Sequence, residues 1–176
     1  MMFYREIKPE EMELSIFSSF ERRQVVTDCV RREGNAWVVK AAPFIDQWSK
    51  EDYQFLVECL RGTLKKGGMV FGAFLDGALK GFASVEAEPM GSRGQYRDLT
   101  CIHVSEELRG SGAGKALFSM ACQWAKAHGG ERLYISSHSA VETQAFYRAM
   151  GCVDAEEIME EHARREPFDR QLEKRL

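Results

Sequence analysis

The sequence predicts a mixed α/β (α+β) fold, with a mixed, largely antiparallel central sheet and helices on both of its faces. With 176 residues, 44% of them hydrophobic and 29% charged, the chain has the size and composition of one globular domain, expected to span residues 1–176. Strand patterns separated by turn signals recur through the first half. The second half alternates strand, helix, strand and helix, which favours a sheet covered by helices.

The first elements are a strand, a helix and a hairpin. The segment FYREI (3–7) has a strand pattern, and Pro9 suits the start of a helix. The apolar face of this helix would carry Met12, Ile16, Phe17 and Phe20. The β-rich runs QVVTDCVRR (24–32) and AWVVKAA (36–42) are separated by EGN, which predicts a hairpin.

The middle of the chain contains the clearest helix and the clearest turn. A helix begins after Ser49, its N-cap, with Asp52 three residues later, and Gly67-Gly68 ends it. Two strands then flank Asp76-Gly77, a dipeptide that strongly favours a tight hairpin turn.

The remaining elements follow in the order strand, helix, strand, helix and strand. The strand QYRDLTCIHV (95–104) precedes a glycine loop and a helix that stops at Gly129-Gly130. The strand RLYISS (132–137) leads to a helix that Ser139 and Glu142 should start as a capping box. After a charged segment, FDRQLEKRL is expected to form the last strand.

Charge and cysteine content narrow the class of protein. The formal net charge of −3 gives no broad basic surface for nucleic acid. Five scattered cysteines without a C-x-x-C spacing argue against a disulfide framework and a zinc ribbon, so no metal is expected. No apolar run is long enough to span a bilayer or to form a signal peptide. We therefore expect a cytoplasmic protein with no nucleic-acid or membrane partner.

The segment ELRGSGAGKALF (107–118) combines alternate glycines with the start of a helix, a combination that suits an anion. It is not a Walker A loop, because Arg109 stands where that motif needs a glycine and Ala116 follows the lysine. It is not a dinucleotide fingerprint either, since Lys115 occupies the third glycine position and the loop lies past mid-chain.

Two motifs on the expected elements resemble those of the GNAT superfamily of N-acetyltransferases. RGSGAG matches the R/Q-x-x-G-x-G/A loop, and AFYRAMGC is similar to the F-Y-x-x-x-G helix downstream. The resemblance covers about residues 69–153 and implies a sheet that splays where acetyl-CoA binds. It implies transfer of an acetyl group to a primary amine by direct attack. The acceptor would be a small molecule or a peptide, and the enzyme a monomer or homodimer.

The resemblance also implies the residues that bind the co-substrate, acetyl-CoA. The backbone of Ile102 and Val104 would pair with the pantetheine arm, while their side chains stay in the core. The pyrophosphate would lie against the amides of the loop, with Lys115 adding positive charge. The implied loop residues are Arg109, Gly110, Ser111, Gly112, Ala113 and Gly114.

Acyl transfer needs an acid for the leaving thiolate and a base for the ammonium. By the resemblance, Tyr147 is the acid. Neighbouring helical residues point about 100° apart, so Phe146 and Tyr147 cannot both point squarely at the same core face, which favours a cleft role for one of them. The first candidate base is Glu86 and the second is Asp98; Glu88 fits an exposed edge position better. The histidines His103 and His138 are minor alternatives.

Two features depart from the family pattern. Many members carry an asparagine where this chain has Ala140, and the segment 21–48 has no family counterpart. Variable N-terminal segments usually build the acceptor pocket in this superfamily, so the acceptor is not predicted. A second hypothesis is a non-catalytic acyl-CoA-binding or sensing module with the same fold and loop.

Overall fold

The fold is built on a seven-stranded sheet. The structure, a computed structural model, describes all of residues 1–176. Its strands are β1 (Met2–Glu6), β4 (Met69–Leu75), β5 (Ala78–Val85), β6 (Tyr96–Val104), β7 (Arg132–Ser137), β8 (Val153–Asp154) and β9 (Arg170–Arg175). They lie in the order β1-β4-β5-β6-β7-β9-β8, and only the β6–β7 pairing is parallel.

Helices cover both faces of this sheet, which confirms the predicted fold class. The helices are α1 (Lys50–Lys65), α2 (Ala113–Ala127), α3 (Val141–Ala149) and α4 (Glu160–Arg165). On one face α1 packs Leu56, Val57 and Leu60 against the sheet, and on the other α2 packs Leu117 and Ala121. No helix is both long enough and apolar enough to cross a membrane.

The sheet opens between β6 and β7. These strands pair only over Tyr96–Asp98 with Arg132–Tyr134, whereas β6 continues to pair with β5 as far as Val104. Beyond Asp98, the side of β6 that faces β7 has no neighbouring strand. This divergence confirms the expected splay.

The predicted turns and the predicted cap of α1 are present. Asp76 and Gly77 have φ values of 50° and 84°, the positive values that a tight hairpin turn between β4 and β5 requires. Ser49 caps α1 and forms the predicted capping box with Asp52.

The predicted helix after Pro9 is wrong. The chain instead forms two short 3₁₀ turns, Pro9–Glu11 and Leu14–Phe17, separated by an extended Glu13. On one α-helix Met12 and Phe17 would point about 140° apart. The break lets both side chains enter the same core.

The segment 21–48 contains the expected hairpin, formed by β2 (Arg23–Glu33) and β3 (Ala36–Gln47) as a separate two-stranded sheet. Its β2 strand contacts the start of α3, where the Val30 amide donates to the Ser139 carbonyl at 2.8 Å.

That contact explains why the predicted capping box at Ser139 is wrong. The Ser139 hydroxyl accepts a hydrogen bond from Arg31 at 2.7 Å, and α3 begins at Val141 with Ala140 as an N-cap without a side-chain bond. The last strand, β9, lies in the expected segment, whereas α4 lies in a segment for which we predicted only charge.

Candidate active site

A cavity of about 1250 Å³ occupies the opening between β6 and β7. Seven of the nine predicted cofactor residues line it: Ile102, Val104, Arg109, Gly110, Gly112, Gly114 and Lys115. The three predicted catalytic residues, Glu86, Asp98 and Tyr147, line it as well. Ser111 and Ala113 are not among the lining residues, and Ala113 is buried in the core.

The glycine loop takes a shape that two of its glycines make possible. Gly110 and Gly112 have φ values of 79° and 89°, in the left-handed region that favours glycine. Gly112 is also the N-cap of α2, whose first turn contains no acidic residue. The positive end of the helix dipole therefore faces the cavity without a carboxylate beside it in that turn.

Four backbone amides of the loop and of the first turn of α2 donate no hydrogen bond within the chain. The amides of Arg109 and Ser111 donate to the carbonyls of Glu106 and Leu108, at 3.3 and 3.2 Å. The Ala113 amide donates to the Ser111 hydroxyl at 3.4 Å. The amides without a partner in the chain are those of Gly110, Gly112, Gly114 and Lys115, and all four residues line the cavity. Free amides at the start of a helix can bind an anion.

Gly114 differs from the other two loop glycines because it lies close to a side chain. A Cβ atom at this position would lie 3.3 Å from Cε2 of Phe146. The absence of a side chain therefore lets the start of α2 approach α3, and Phe146 also lines the cavity.

The exposed edge of β6 leads from the loop into the cavity. Ile102 and Val104 lie on the part of β6 that pairs only with β5, and their side chains pack against the core beneath α2. The edge can accept an extended ligand in the place of a strand.

Tyr147 lies on α3 with its ring in the core and its edge on the cavity. The side chain is buried, and Phe118 and Phe146 pack against it with ring centroids 6.2 and 5.2 Å away. Burial raises the pKa of Tyr147, and no hydrogen bond within the chain offsets this effect. The phenol is therefore protonated at neutral pH. Phe146 lines the cavity together with Tyr147.

Glu86 follows directly after β5 and lies at the far end of the cavity from the glycine loop. Its carboxylate accepts a hydrogen bond from the Thr63 hydroxyl of α1 at 2.5 Å, and its amide donates to the Asp98 carbonyl at 2.9 Å. Glu88 is exposed and does not line the cavity.

Asp98 forms a hydrogen bond that the sequence did not suggest. Its carboxylate lies 2.6 Å from Nε2 of His162 on α4, and Asp98 is buried while the His162 side chain is 23% exposed. The hydrogen bond to Asp98 raises the pKa of His162 above its usual value. His162 also lines the cavity, but no motif marks it in the charged segment 155–166.

The two histidines considered as alternative bases are poorly suited to that role. Burial, with the nearby Arg22 and Arg109 cations, lowers the pKa of His103 to about 3, so it is too weak a base at neutral pH. His138 accepts a hydrogen bond from the Ala140 amide through Nδ1 at 3.0 Å and packs on Phe44.

The hairpin of segment 21–48 forms one wall of the cavity. Arg22 precedes β2 and is buried, and its guanidinium lies 2.7 Å from the Asp46 carboxylate and 5.3 Å from the Trp48 ring centre. The ends of helices α1 and α4 add Arg165 and the residues directly after each helix, Lys66 and Glu166, to the lining. Beyond Tyr147 the cavity is therefore lined by both cationic and anionic side chains. No group of three or more His, Cys, Asp or Glu side chains is arranged to hold a metal ion.

The sequence matches a known family over most of its length. Residues 34–152 match the Acetyltransferase (GNAT) family. No protein of curated function matches the sequence significantly.

Solved structures share the architecture. Nourseothricin acetyltransferase superposes with a TM-score of 0.67 at 16% identity, over 98% of this chain and 95% of its own. A Bacillus anthracis protein assigned as a streptothricin acetyltransferase, solved with acetyl coenzyme A, gives 0.69 at 18% identity, over 98% and 96%. The PaiA N-acetyltransferase of Thermoplasma acidophilum, solved with coenzyme A, gives 0.62 at 15% identity, over 100% and 99%. At these identities the likeness concerns the fold.

Proposed function

The chain belongs to the GNAT family of acetyltransferases, and from this premise we propose that it transfers the acetyl group of acetyl-CoA to a primary amine. The amine would belong to a small molecule or a peptide and would attack the thioester directly, without a covalent enzyme intermediate.

The proposed position of acetyl-CoA follows the two features that the cavity offers to an extended anion. The pyrophosphate would accept hydrogen bonds from the free amides of Gly110, Gly112, Gly114 and Lys115, beside the cations of Arg109 and Lys115. The pantetheine arm would lie along Ile102 and Val104 in the place of a strand. The thioester would then lie near Tyr147, where the cavity passes between β6 and α3.

The proposed reaction has one bond formed and one broken at the acetyl carbon. The amine nitrogen bonds to that carbon, and the carbon–sulfur bond then breaks to release the thiolate of CoA. Tyr147 gives its phenolic proton to the thiolate and regains one from the attacking nitrogen, which must lose two protons in all. The raised pKa of Tyr147 keeps the phenol protonated before this step.

The first proton must leave the ammonium before attack, since only a neutral amine is a nucleophile. We place its acceptor at the end of the cavity where Glu86, directly after β5, lies beside Asp98 of β6. Glu86 and Asp98 are the candidate bases from the sequence, each with a hydrogen-bond partner, Thr63 or His162, and His162 is a third candidate because it also lines the cavity.

One observation carries the proposal: a single cavity joins the free amides of the glycine loop to Tyr147 and to the two carboxylates. The experiment is a panel of primary amines incubated with acetyl-CoA, with free thiol followed over time. We expect thiol release that depends on both an amine and the protein. Binding of CoA without amine-dependent release for any member of the panel would favour the non-catalytic module instead.

A further inference from the structure

We propose that His162 is the group that takes the proton from the acceptor ammonium and that Asp98 positions its ring. This inference rests on the proposed acetyl transfer and names the base within it.

The hydrogen bond between the two side chains leaves one ring nitrogen for substrate. Nε2 of His162 lies 2.6 Å from the Asp98 carboxylate, and Nδ1 has no hydrogen-bond partner in the chain. With the proton on Nε2, the lone pair of Nδ1 is free to accept another. The His162 side chain is 23% exposed and lines the cavity, so a substrate can reach it.

The pair lies where the strands diverge. Asp98 is the last residue of β6 that pairs with β7, opposite Tyr134, and the opening of the sheet begins directly after it. The pair therefore lies at the closed end of the opening, and the glycine loop lies past the other end of β6.

The strand β7 holds the His162 ring in place. The Met159 amide, at the start of α4, donates to the Tyr134 hydroxyl at 3.1 Å. The Tyr134 ring packs edge-on against His162 with centroids 5.4 Å apart, and its hydroxyl donates to Gln171 of β9 at 2.5 Å. Contacts from two strands thus fix the imidazole beside Asp98.

The charges around His162 suit a group that must hold a proton briefly. Asp98 of β6 faces the ring, Arg165 and Glu161 lie on its own helix, and the neutral Tyr134 faces it from β7. The hydrogen bond to Asp98 outweighs burial and Arg165, so the net effect is a raised pKa. His103 lines the same cavity, yet burial and Arg22 lower its pKa to about 3.

The ammonium gives one proton to Nδ1, which makes the imidazolium that Asp98 stabilises and leaves a neutral amine. The imidazolium later releases this proton to solvent. Glu86, already bound to Thr63, would hold the ammonium by charge and would not accept its proton.

The test compares three variants of the whole protein with a control. In His162→Gln, kcat near neutral pH should fall roughly 10²-fold, and the deficit should shrink as pH rises and more amine is already neutral. Glu86→Gln should mainly raise the KM for the amine, with no such recovery. His128→Gln, outside the cavity at the end of α2, should leave activity unchanged.

Asp98→Asn tests the positioning role. Loss of the carboxylate should move the acid limb of kcat to lower pH, and the NMR titration of the His162 ring should move in the same direction. A folded His162→Gln variant with the wild-type kcat and pH profile would overturn the proposal. Should that variant not fold, an unchanged pH profile in Asp98→Asn would do so. Absence of thiol release by the wild-type protein with every amine would instead reject the acetyl transfer itself.

Discussion

The two ends of the cavity are built in different ways. At the glycine loop, four free backbone amides belong to residues of one continuous segment, 110–115, that line the cavity. At the other end, side chains from four separate elements meet: Thr63, Glu86, Asp98 and His162. Backbone amides can hold a phosphate that every acetyl-CoA carries, whereas side chains can be exchanged without changing the fold. The first end therefore suits a constant ligand and the second a variable one.

The two ends also differ in charge. Arg109 and Lys115 add cations to the free amides at the loop, and Glu86 and Asp98 place carboxylates at the opposite end. The loop end therefore favours an anion, whereas the other end combines these carboxylates with the cation of Arg165.

The largest expected effect falls between the ends, at Tyr147. Tyr147→Phe keeps the ring in the core and removes the proton donor, so kcat should fall roughly 10²-fold. The affinity for CoA, measured by calorimetry, should change little, because the hydroxyl makes no hydrogen bond within the chain. Phe118→Leu, in the core beside Tyr147, controls for altered packing. Equal kcat in Tyr147→Phe and the wild-type protein would remove Tyr147 from the mechanism.

A smaller effect is expected at the loop end. Gly112→Val forces a side chain onto a residue with φ of 89° and displaces the amides beside it, so CoA affinity should fall about tenfold, or about 1.4 kcal/mol. Gly77→Val is a matched control, since Gly77 has φ of 84° and is equally free of neighbours. If both variants bind CoA alike, the loop does not hold the pyrophosphate.

The smallest expected effect is on the stability of the folded protein, through the His162–Asp98 pair at the end of the cavity opposite the glycine loop. The pKa of His162 is raised in the folded protein. The contribution of the His162–Asp98 pair to the free energy of unfolding is therefore fully present below about pH 6.5, the pKa of an unfolded histidine. This contribution is lost as the pH rises through the pKa of His162 in the folded protein. Denaturant unfolding should show a larger stability difference between the wild-type protein and His162→Gln at about pH 5.5 than at about pH 9. A difference that grows with pH would contradict the ion pair.

The difference between the ends also explains which parts of the site could be predicted. The loop residues are contiguous, and their glycines and lysine show the backbone shape and the charge directly. Gly110 and Gly112 have the positive φ values that such spacing favours, although the sequence does not show which amides the loop itself uses. The hairpin turn at Asp76-Gly77 was predictable for the same local reason.

The other end depends on contacts between distant segments. His162 lies 64 residues from Asp98, and only the packing of α4 on β7 brings them together. The capping box at Ser139 failed in the same way, because β2 occupies the groups that would have capped α3. Local pattern cannot show that a side chain is already bound to a residue from another element.

The most direct test of the account is an NMR titration of the backbone amides with CoA. We predict the largest shifts at Gly110, Gly112, Gly114 and Lys115, smaller shifts at Ile102 and Val104, and none at the Asp76-Gly77 turn. Saturation with CoA that leaves the four loop amides unmoved would contradict the account, since the pyrophosphate would then bind elsewhere.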